Sequence, residues 1–427
     1  MRLPMTTGAA ALPRIARSRG FGGLAAVLFA LVLAGCSTKT VNGPGVTPPL
    51  SSLVIDVQID TLGFGETKQF TVTAIDTNGA AVNVNPAWSS THTGVFTVSG
   101  TGRVTAQGEG TATLIAEAGG QIDGATITVL PGGGWIVQAS TVSADLHGVH
   151  FRPDGRRGWA VGAGGRIVAT QDAGFTWAQQ GSNTTEDLYG VWFSTSSDGW
   201  AVGANGVVRR TMNGGATWTM VVTGAAVENL HDVYFTHPDT GFAVGATGVV
   251  LRTVDGGATW TRRTPVAVNL HSVSFASTQD GWAVGNNGTI VGTHDAGVSW
   301  FTVTPAVTSQ NLNSVWRRSE SRAWAAGLVG VVPRTVSGPD STTWILGSAG
   351  AGEQLHGVCF PDDMIGYAVG SDGVGSVLRT DDGGASWQPQ TSNAQFTLRD
   401  VFFVDPLRGW AVGDNGTIIH TGRGGLN

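Results

Sequence analysis

One motif occurs seven times between Leu146 and the C-terminus, and this repetition limits the possible folds more than any other feature. In its clearest copy, the segment 230–235 (LHDVYF) is followed by 241–245 (GFAVG), 248–253 (GVVLRT) and 255–260 (DGGATW). The copies begin 40 to 43 residues apart, at Leu146, Leu188, Leu230, Leu270, Leu312, Leu355 and Leu398. Each copy holds four short apolar runs bounded by Gly, Asn and Asp, which predicts a four-stranded antiparallel sheet. Seven such sheets at a fixed period predict a seven-bladed β-propeller.

The spacing inside the copies also predicts how the ring closes. A Trp follows the repeat's Thr by seven residues, as from Thr211 to Trp218. In the seventh copy the Thr is Thr421, so its Trp would fall one residue beyond the last one given. The missing fragment stands before the first copy, around Trp135. We therefore predict that the strand at 135–139 completes the last blade, which removes an unpaired sheet edge.

The first 36 residues have the pattern of a processing segment. Basic residues precede an apolar run from Leu24 to Leu33, a run too short for a membrane span and typical of a secretory signal. The segment 33–36 (LAGC) resembles the bacterial lipobox, which implies that Cys36 is lipidated and becomes the first mature residue. We expect an exported, membrane-anchored lipoprotein, at the outer membrane or cell surface, held there by its acyl chains.

Composition excludes several classes of function. The only cysteine besides Cys36 is Cys359, so no disulfide can form within the mature chain. The net charge is −6 and the mature chain has no basic run, which argues against a nucleic-acid partner. No phosphate loop, Ser-His-Asp motif or metal-spaced cluster is present, so we expect neither a cofactor nor a metal.

Two segments separate the signal from the propeller at 132–427. Residues 37–50 are rich in Thr, Gly, Pro and Ser and predict a flexible tether. Residues 51–130 contain short alternating strands separated by turn residues, which predict a β-sandwich. The order of motifs there resembles the bacterial Ig-like group 2 domain: 65–70 (GETKQF), 88–90 (WSS), 98–106 (VSGTGRVTA), 110–113 (GTAT) and 126–129 (TITV). Such modules are spacers or adhesive units at bacterial surfaces.

A second motif inside the repeat is Thr-x-Asp-x-Gly-x-Thr/Ser-Trp. It occurs at 170–177, 253–260, 293–300 and 380–387, and at 211–218 with Asn213 in place of the Asp. It resembles the Asp box of sialidase-like propellers. In such a hairpin the Asp accepts backbone N–H bonds, the Gly adopts a positive φ and the Trp packs between sheets. Its presence in five copies favours a structural role, because a catalytic group is needed only once. The fifth copy departs from the pattern at 337–344.

The complete repeat resembles a known family of propellers. The segments 199–203, 281–285 and 409–413 (all GWAVG) are predicted second strands with their aromatic side chains in the core. The Asn-Gly pairs at 205–206, 287–288 and 415–416 then predict type I′ turns. Together with the leading LxxVxF segment and the Asp box, these strands resemble the photosystem II stability and assembly factor family. That resemblance implies a non-catalytic propeller that holds a partner polypeptide, although the Ig-like domain in front departs from the family's pattern.

The positions that vary between copies are the candidates for function. If the leading segment is the innermost strand of each blade, the residue after each leading Leu lies in a polar collar around one channel mouth. The collar residues are His147, Tyr189, His231, His271, Asn313, His356 and Arg399. They either contact a ligand or merely solvate the channel end. We expect neighbouring rings to lie roughly 8 Å or more apart, too far for one metal whose Zn–N bonds are about 2.0–2.1 Å long.

A second variable stripe directly precedes the Asp-box Thr. It consists of Arg210, Arg252, Arg334 and Arg379, with His420 in the seventh copy. Arg at this position either stacks over a neighbouring Trp as part of the scaffold or forms a basic surface for an acidic peptide or glycan. The resemblance to the assembly factors implies the second role, since an arginine-rich patch is part of the partner surface in that family.

Two classes of function therefore have to be compared. A sialidase-like hydrolase needs three converging arginines, a Tyr nucleophile activated by a Glu, and an Asp acid. The chain offers only Tyr189, with Glu186 nearby in sequence, and one collar arginine, Arg399. We therefore expect no enzyme, but a lipid-anchored binding or assembly scaffold that presents its propeller to a protein or glycan partner at the cell envelope.

Overall fold

The computed structural model describes residues 49–63, 66–130, 133–224, 227–335, 343–350 and 352–426. These residues form strands, turns and six three-residue 3₁₀ turns, so the predicted all-β class is confirmed. Cys36, the signal segment, nearly all of the tether and most of the departing hairpin at 337–344 lie outside these ranges. Within them, no helix is long and apolar enough to span a membrane.

The first ten strands enclose one apolar core. They are β1 (Leu50–Ile55), β2 (Ile59–Gly63), β3 (Thr67–Gln69), β4 (Val72–Asp76), β5 (Ala81–Val82), β6 (Ala87–Ser90), β7 (Phe96–Val98), β8 (Arg103–Ala106), β9 (Gly110–Ala118) and β10 (Gln121–Leu130). They form sheets of order β1-β4-β5, β2-β10-β9-β6 and β3-β8-β7. The alternating strands turn Leu114, Ile127 and Phe96 inward, where these side chains are fully buried.

Seven four-stranded antiparallel sheets follow, one for each copy of the repeat. Blade one contains β12 (Leu146–Phe151), β13 (Gly158–Gly162), β14 (Arg166–Thr170) and β15 (Ala178–Gln180). Blade two contains β16 (Leu188–Phe193), β17 (Gly199–Gly203), β18 (Val208–Thr211) and β19 (Thr219–Met220). Blade three contains β20 (Leu230–Phe235), β21 (Gly241–Gly245), β22 (Val250–Thr253) and β23 (Thr261–Arg263). Blades four and five contain β24 (Leu270–Phe275), β25 (Gly281–Gly285), β26 (Ile290–Thr293), β27 (Phe301–Thr302); and β28 (Leu312–Ser319), β29 (Arg322–Gly327), β30 (Arg334–Thr335), β31 (Trp344–Ile345). Blade six contains β32 (Gln354–Cys359), β33 (Gly366–Ser371), β34 (Gly375–Thr380) and β35 (Gln388–Gln390).

Blade seven combines both ends of the propeller. Its strands are β36 (Leu398–Phe403), β37 (Gly409–Gly413), β38 (Ile418–Thr421) and, as the outer strand, β11 (Ile136–Gln138). Ile136 pairs with His420 in antiparallel register. The Trp135 indole N–H donates to Gln390 of blade six at 2.9 Å, just as Trp218 of blade two donates to Gln180 of blade one. Trp135 therefore occupies the place of the seventh Asp-box Trp.

Aromatic stacking joins neighbouring blades. The aromatic residue of each second strand lies flat on the Phe five residues after the leading Leu of the next blade. The ring centroids are 3.5 Å apart for Trp159 and Phe193 and 3.6 Å for Trp410 and Phe151. Blade five is the exception, because the position of that Phe holds Arg317. The Arg317 guanidinium lies over Trp282 at 5.4 Å and is 4% exposed. Its Nε and Nη1 atoms have no hydrogen-bond partner within the described residues.

The Asp boxes are tight hairpins, as predicted. Thr170 Oγ1 donates to Asp172 at 2.8 Å and accepts the Gly174 N–H at 2.8 Å, while Asp172 accepts the Thr176 N–H at 2.9 Å. Gly174 has a φ of +89°, a conformation that strongly favours glycine. The same bonds recur around Asp255, Asp295 and Asp382. Because these contacts fix the hairpin, the structural role of the box is confirmed.

The hairpins after the second strands are the predicted left-handed turns. Asn205 and Gly206 both have positive φ, 53° and 68°. The Asn205 N–H donates to Asn229 Oδ1 of the next blade at 3.0 Å. In each of these turns the acceptor is the residue before the leading Leu of the next blade, so the bond joins two blades. Asp145 of blade one closes the ring by accepting the Asn415 N–H of blade seven at 2.9 Å.

The N-terminal sheets contact the propeller through blade one. Phe175 replaces the Ala or Val of the other complete Asp boxes, and its ring lies so close to Gly108 that a Cβ there would collide with it. Glu109 Oε1 lies 3.5 Å from Nε2 of the buried His420. Burial raises the pKa of Glu109 and lowers the pKa of His420 to about 3, so this contact is not a strong ion pair.

Candidate functional site in the central channel

The propeller axis contains a cavity of about 130 Å³ lined by the innermost strands. Its wall has three layers, set by position in each copy. The collar is the first residue after each leading Leu, and the middle layer is the second. The aromatic layer is the fourth residue, which carries an aromatic ring in five of the seven copies. Side chains alternate along a strand, but a bulge after each leading Leu brings the first and second residues both to the channel wall.

All seven collar residues lie at this mouth of the channel, and all are half-buried. Four consecutive rings form an arc: the centroids of His147 and Tyr189 are 5.3 Å apart, those of Tyr189 and His231 6.0 Å, and those of His231 and His271 5.2 Å. The expectation of roughly 8 Å or more was wrong, because the rings lean towards one another instead of pointing straight along their own blades. Within the described residues, no group of three or more His, Cys, Asp or Glu side chains could hold a metal ion.

Several collar residues also join the blades. His147 Nδ1 lies 3.1 Å from the Leu188 carbonyl and His231 Nδ1 2.7 Å from the Leu270 carbonyl, so each imidazole donates to the next blade. The Asn313 amide donates to the Leu355 carbonyl at 2.7 Å. The collar is therefore partly scaffold and partly free polar surface.

Little positive charge remains at the collar. Burial lowers the pKa of His231 and of His356, so both imidazoles are neutral near pH 7. Arg399 donates twice to Asp414, at 2.6 and 3.0 Å, and its charge is matched there. Among the described residues that line this cavity, the one guanidinium is thus already paired with a carboxylate.

The middle layer was missed by the sequence analysis. Read down the seven copies, it is Gly148, Gly190, Asp232, Ser272, Ser314, Gly357 and Asp400. Asp232 and Asp400 line the cavity and are half-buried. The signal was available in the sequence: two carboxylates occupy a repeat position that is Gly or Ser in the other five copies, on strands whose remaining residues are apolar or aromatic apart from the collar residue.

Middle-layer side chains join neighbouring blades by accepting a hydrogen bond from a backbone N–H of the next blade, a contact that we call a staple. The Val273 N–H donates to Asp232 Oδ2 at 2.9 Å, and the Val149 N–H donates to Asp400 Oδ2 at 2.9 Å. Desolvation raises the pKa of Asp232 to about 6 and that of Asp400 to about 7, and the nearby Asp232 charge contributes to the second shift.

The aromatic layer narrows the channel below the carboxylates. His150 contacts Trp192 and Phe402 with ring centroids 4.5 and 4.8 Å apart, and Trp192 contacts Tyr234 at 4.2 Å. Beyond this layer, a wider cavity of about 390 Å³ opens at the opposite mouth. The two mouths thus differ in chemistry, one polar and the other largely aromatic.

The arginine stripe lies between blades. Arg252 donates to the Ala296 carbonyl at 2.6 Å and Arg334 to the Gly384 carbonyl at 3.3 Å, each in the next blade's hairpin. Arg210 lies over Trp200 at 5.3 Å and Arg379 over Tyr367 at 5.7 Å. These contacts favour the scaffold role for the stripe.

The tyrosines are not arranged for nucleophilic catalysis. Tyr234 donates to the Phe275 carbonyl at 2.9 Å and Tyr367 to the Pro406 carbonyl at 2.8 Å. Burial, together with Asp187 and Glu186, raises the pKa of Tyr189, whereas a nucleophile needs its phenol to ionise more easily.

Comparisons with known proteins agree with this architecture. The family model described as photosynthesis system II assembly factor YCF48 matches residues 132–227 and 214–307. A search of curated proteins finds no match to the chain.

Solved propellers share the fold. A structure of YCF48 bound to D1 peptide matches with a TM-score of 0.58 and 20% identity, covering 67% of this chain and 96% of that one. YCF48 from Cyanidioschyzon merolae gives 0.57 and 19%, covering 67% and 98%. The virginiamycin B lyase from Staphylococcus aureus gives 0.57 and 11%, covering 67% and 98%. At these identities the structural matches indicate the fold alone, and with the family match they show that this propeller resembles the YCF48 type.

Proposed function

We propose that this chain is an exported, non-catalytic scaffold whose propeller binds a polypeptide partner at the collar end of the channel. The observation that carries the proposal is the collar itself: seven half-buried polar side chains that differ between blades whose frameworks are nearly identical. A scaffold role alone would favour one repeated residue there, as it does in the Asp boxes.

A protein partner is preferred over a glycan for two reasons. A propeller of the resembling type has been captured with a peptide, D1, bound to it. The collar also offers polar side chains, such as Asn313 and His356, that can donate to or accept from a peptide. A glycan partner stays the alternative for the same surface.

The envelope location is proposed from the sequence. The LAGC segment ending at Cys36 supports lipid attachment, and the motif order of 51–130 supports an Ig-like group 2 module between the anchor and the propeller. Contact of Gly108 with Phe175 supports a module that holds the propeller in a fixed orientation, which suits a surface-attached scaffold.

A sialidase-like hydrolase is disfavoured by the chemistry of the channel. Its single collar arginine is paired with Asp414, and the Tyr189 phenol has a raised pKa. Release of fluorophore from a fluorogenic sialoside, with loss of that turnover in Tyr189→Phe, would overturn the scaffold proposal.

Site-specific photo-crosslinking tests the binding face. A photoreactive amino acid is placed at Tyr189 or Asn313 in the collar of the full-length protein, and at Met364 or Leu407 as controls. The control side chains are about half exposed and lie in the loops that follow the first strands of blades six and seven, at the opposite end of those strands from the collar. Protease-sensitive adducts from the collar positions alone are expected. Adducts from the controls alone would place the binding face at the other mouth.

Membrane fractionation tests the anchor. Cys36→Ser should move the protein from the membrane to the soluble or unprocessed fraction. Cys359→Ala is the matched control, because Cys359 is buried in blade six and should not affect anchoring. A Cys36→Ser protein that stays membrane-bound at mature size would contradict lipidation.

A further inference from the structure

We propose that the central channel holds a primary alkylammonium group, bound between Asp232 and Asp400 below the collar. A lysine side chain of a bound polypeptide or a free amine would present the same group. The site itself does not depend on the proposed partner, since a free amine could fill it alone.

The scaffold does not require carboxylates at these two positions. In blades four and five the same inter-blade staple is made by serine: the Val315 N–H donates to Ser272 Oγ and the Val358 N–H to Ser314 Oγ, both at 3.2 Å. Three other blades have glycine there and no staple at all. A poorly solvated carboxylate costs free energy unless it is paired, so Asp232 and Asp400 supply a negative charge that folding does not need.

No cation of the described chain neutralises these carboxylates. Arg399, the nearest collar guanidinium, is held by Asp414, and no Lys or Arg forms an ion pair with Asp232 or Asp400. The collar imidazoles of His231 and His356 are neutral near pH 7 because burial lowers their pKa. The raised pKa values of both carboxyl groups are what two unpaired acids in one poorly solvated channel should show.

A second feature of the cavity points to a ligand. His150 lines it from the aromatic layer and is only 4% exposed, yet its Nδ1 has no hydrogen-bond partner within the described residues. Desolvation lowers the pKa of His150 to about 3, so the ring is neutral and can accept an N–H. An ammonium has three donors, which the two carboxylates can accept, while the neutral imidazole adds no second cation to the site.

The walls favour an organic cation over a hydrated metal. Trp192, Tyr234, Trp316 and Phe402 all border the cavity, and aromatic faces attract alkylammonium groups. The cavity of about 130 Å³ is close to the roughly 150 Å³ that holds one benzene molecule. It is therefore large enough for one short alkylammonium chain.

Titration calorimetry on the full-length protein at pH 8 tests this site. n-Butylammonium chloride should bind saturably with one site, whereas n-butanol, its neutral counterpart, should not. Asp232→Ser/Asp400→Ser should weaken butylammonium binding at least tenfold while keeping the staples, because serine already makes them in blades four and five. The control Asp239→Ser/Asp363→Ser removes two exposed carboxylates and should bind as the wild type does.

The source of the group is resolved by a second pair of probes. Binding of Nα-acetyl-lysine N-methylamide but not of its norleucine analogue would assign the site to a polypeptide lysine, whereas binding of butylammonium alone would assign it to a free amine. Three results would overturn the proposal: equal binding by the double serine variant, equal binding of butanol, or displacement of butylammonium by equimolar Ca²⁺. A failed crosslink at the collar would contradict the proposed partner but not this site.

Discussion

The interfaces between blades and the central channel are built from the same repeat, but they differ in how faithfully the copies agree. At the interfaces the fifth residue after the leading Leu is Phe in six copies and Arg317 in one. In the channel, the seven collar positions hold four residue types, and the middle layer mixes Gly, Ser and Asp. Each blade must stack on its neighbours, so the interface tolerates little change. The channel wall has no such requirement, and its variation is therefore informative about function.

If the interfaces carry the stability, losing the Trp of the closing strand should have the largest effect. Trp135→Ala should lower the free energy of unfolding by about 3–5 kcal/mol, because a buried indole and its bond to Gln390 are lost. Urea denaturation measures the change. Val137→Ala on the same strand is the control, since that side chain is 55% exposed and should change stability by less than about 0.5 kcal/mol.

Two N-terminal truncations of the protein test the same closure. A chain that begins at Ser140 lacks β11 and should melt far below one that begins at Gly132, or should aggregate, because it leaves β38 with an unpaired edge. Equal melting temperatures would show that β11 is not needed for closure.

Repairing the one irregular interface should have a smaller effect of opposite sign. Arg317→Phe restores the stacking seen at the other six interfaces and removes a buried guanidinium with two unpartnered nitrogens. We expect a gain of about 1–3 kcal/mol in unfolding free energy. The neighbouring Arg318, with 43% of its side chain exposed, is the control, and Arg318→Phe should give no gain. A destabilised Arg317→Phe would indicate that this blade needs its arginine.

The channel carboxylates should make stability depend on pH. The folded-state pKa values of Asp232 and Asp400 are raised, so the native protein binds more protons and their contribution is full below about pH 4 and lost as the pH rises to about 7. One pKa unit corresponds to about 1.4 kcal/mol, but both residues are only half-buried, so we expect a total on the order of 2 kcal/mol.

Comparison of the wild type with the Asp232→Ser/Asp400→Ser variant isolates the part of the pH dependence that the two carboxylates cause. The lowered pKa values of His150 and His420 act in the opposite direction, destabilising the fold as the pH falls below about 6.5, but they are common to both proteins. The difference between the two unfolding free energies should therefore change between pH 4 and 7. A constant difference would mean that the carboxylates are not shifted.

The sequence predicted the blades and the Asp boxes because each is repeated, and repetition separates scaffold from variation within one chain. It did not identify the middle layer, because side chains of a regular strand alternate between its two faces and only one of two successive residues would then face the channel. The bulge after each leading Leu, for example between Leu230 and Asp232, cancels that alternation. The inter-blade contacts of Arg252 and His147 could not be predicted either, since they depend on the conformation of each side chain and not on its position in the repeat.

The smallest effects are expected in the collar, and they should differ between two histidines that the sequence treats alike. His231 is bonded to the Leu270 carbonyl at 2.7 Å, so His231→Ala should cost about 1 kcal/mol, the typical net value of one such bond. His356 forms no hydrogen bond with the described residues, so His356→Ala should stay within about 0.5 kcal/mol. Both substitutions should reduce partner capture if the collar is the binding face. Loss of capture in His231→Ala alone would show that capture follows the integrity of the blades and not the collar surface.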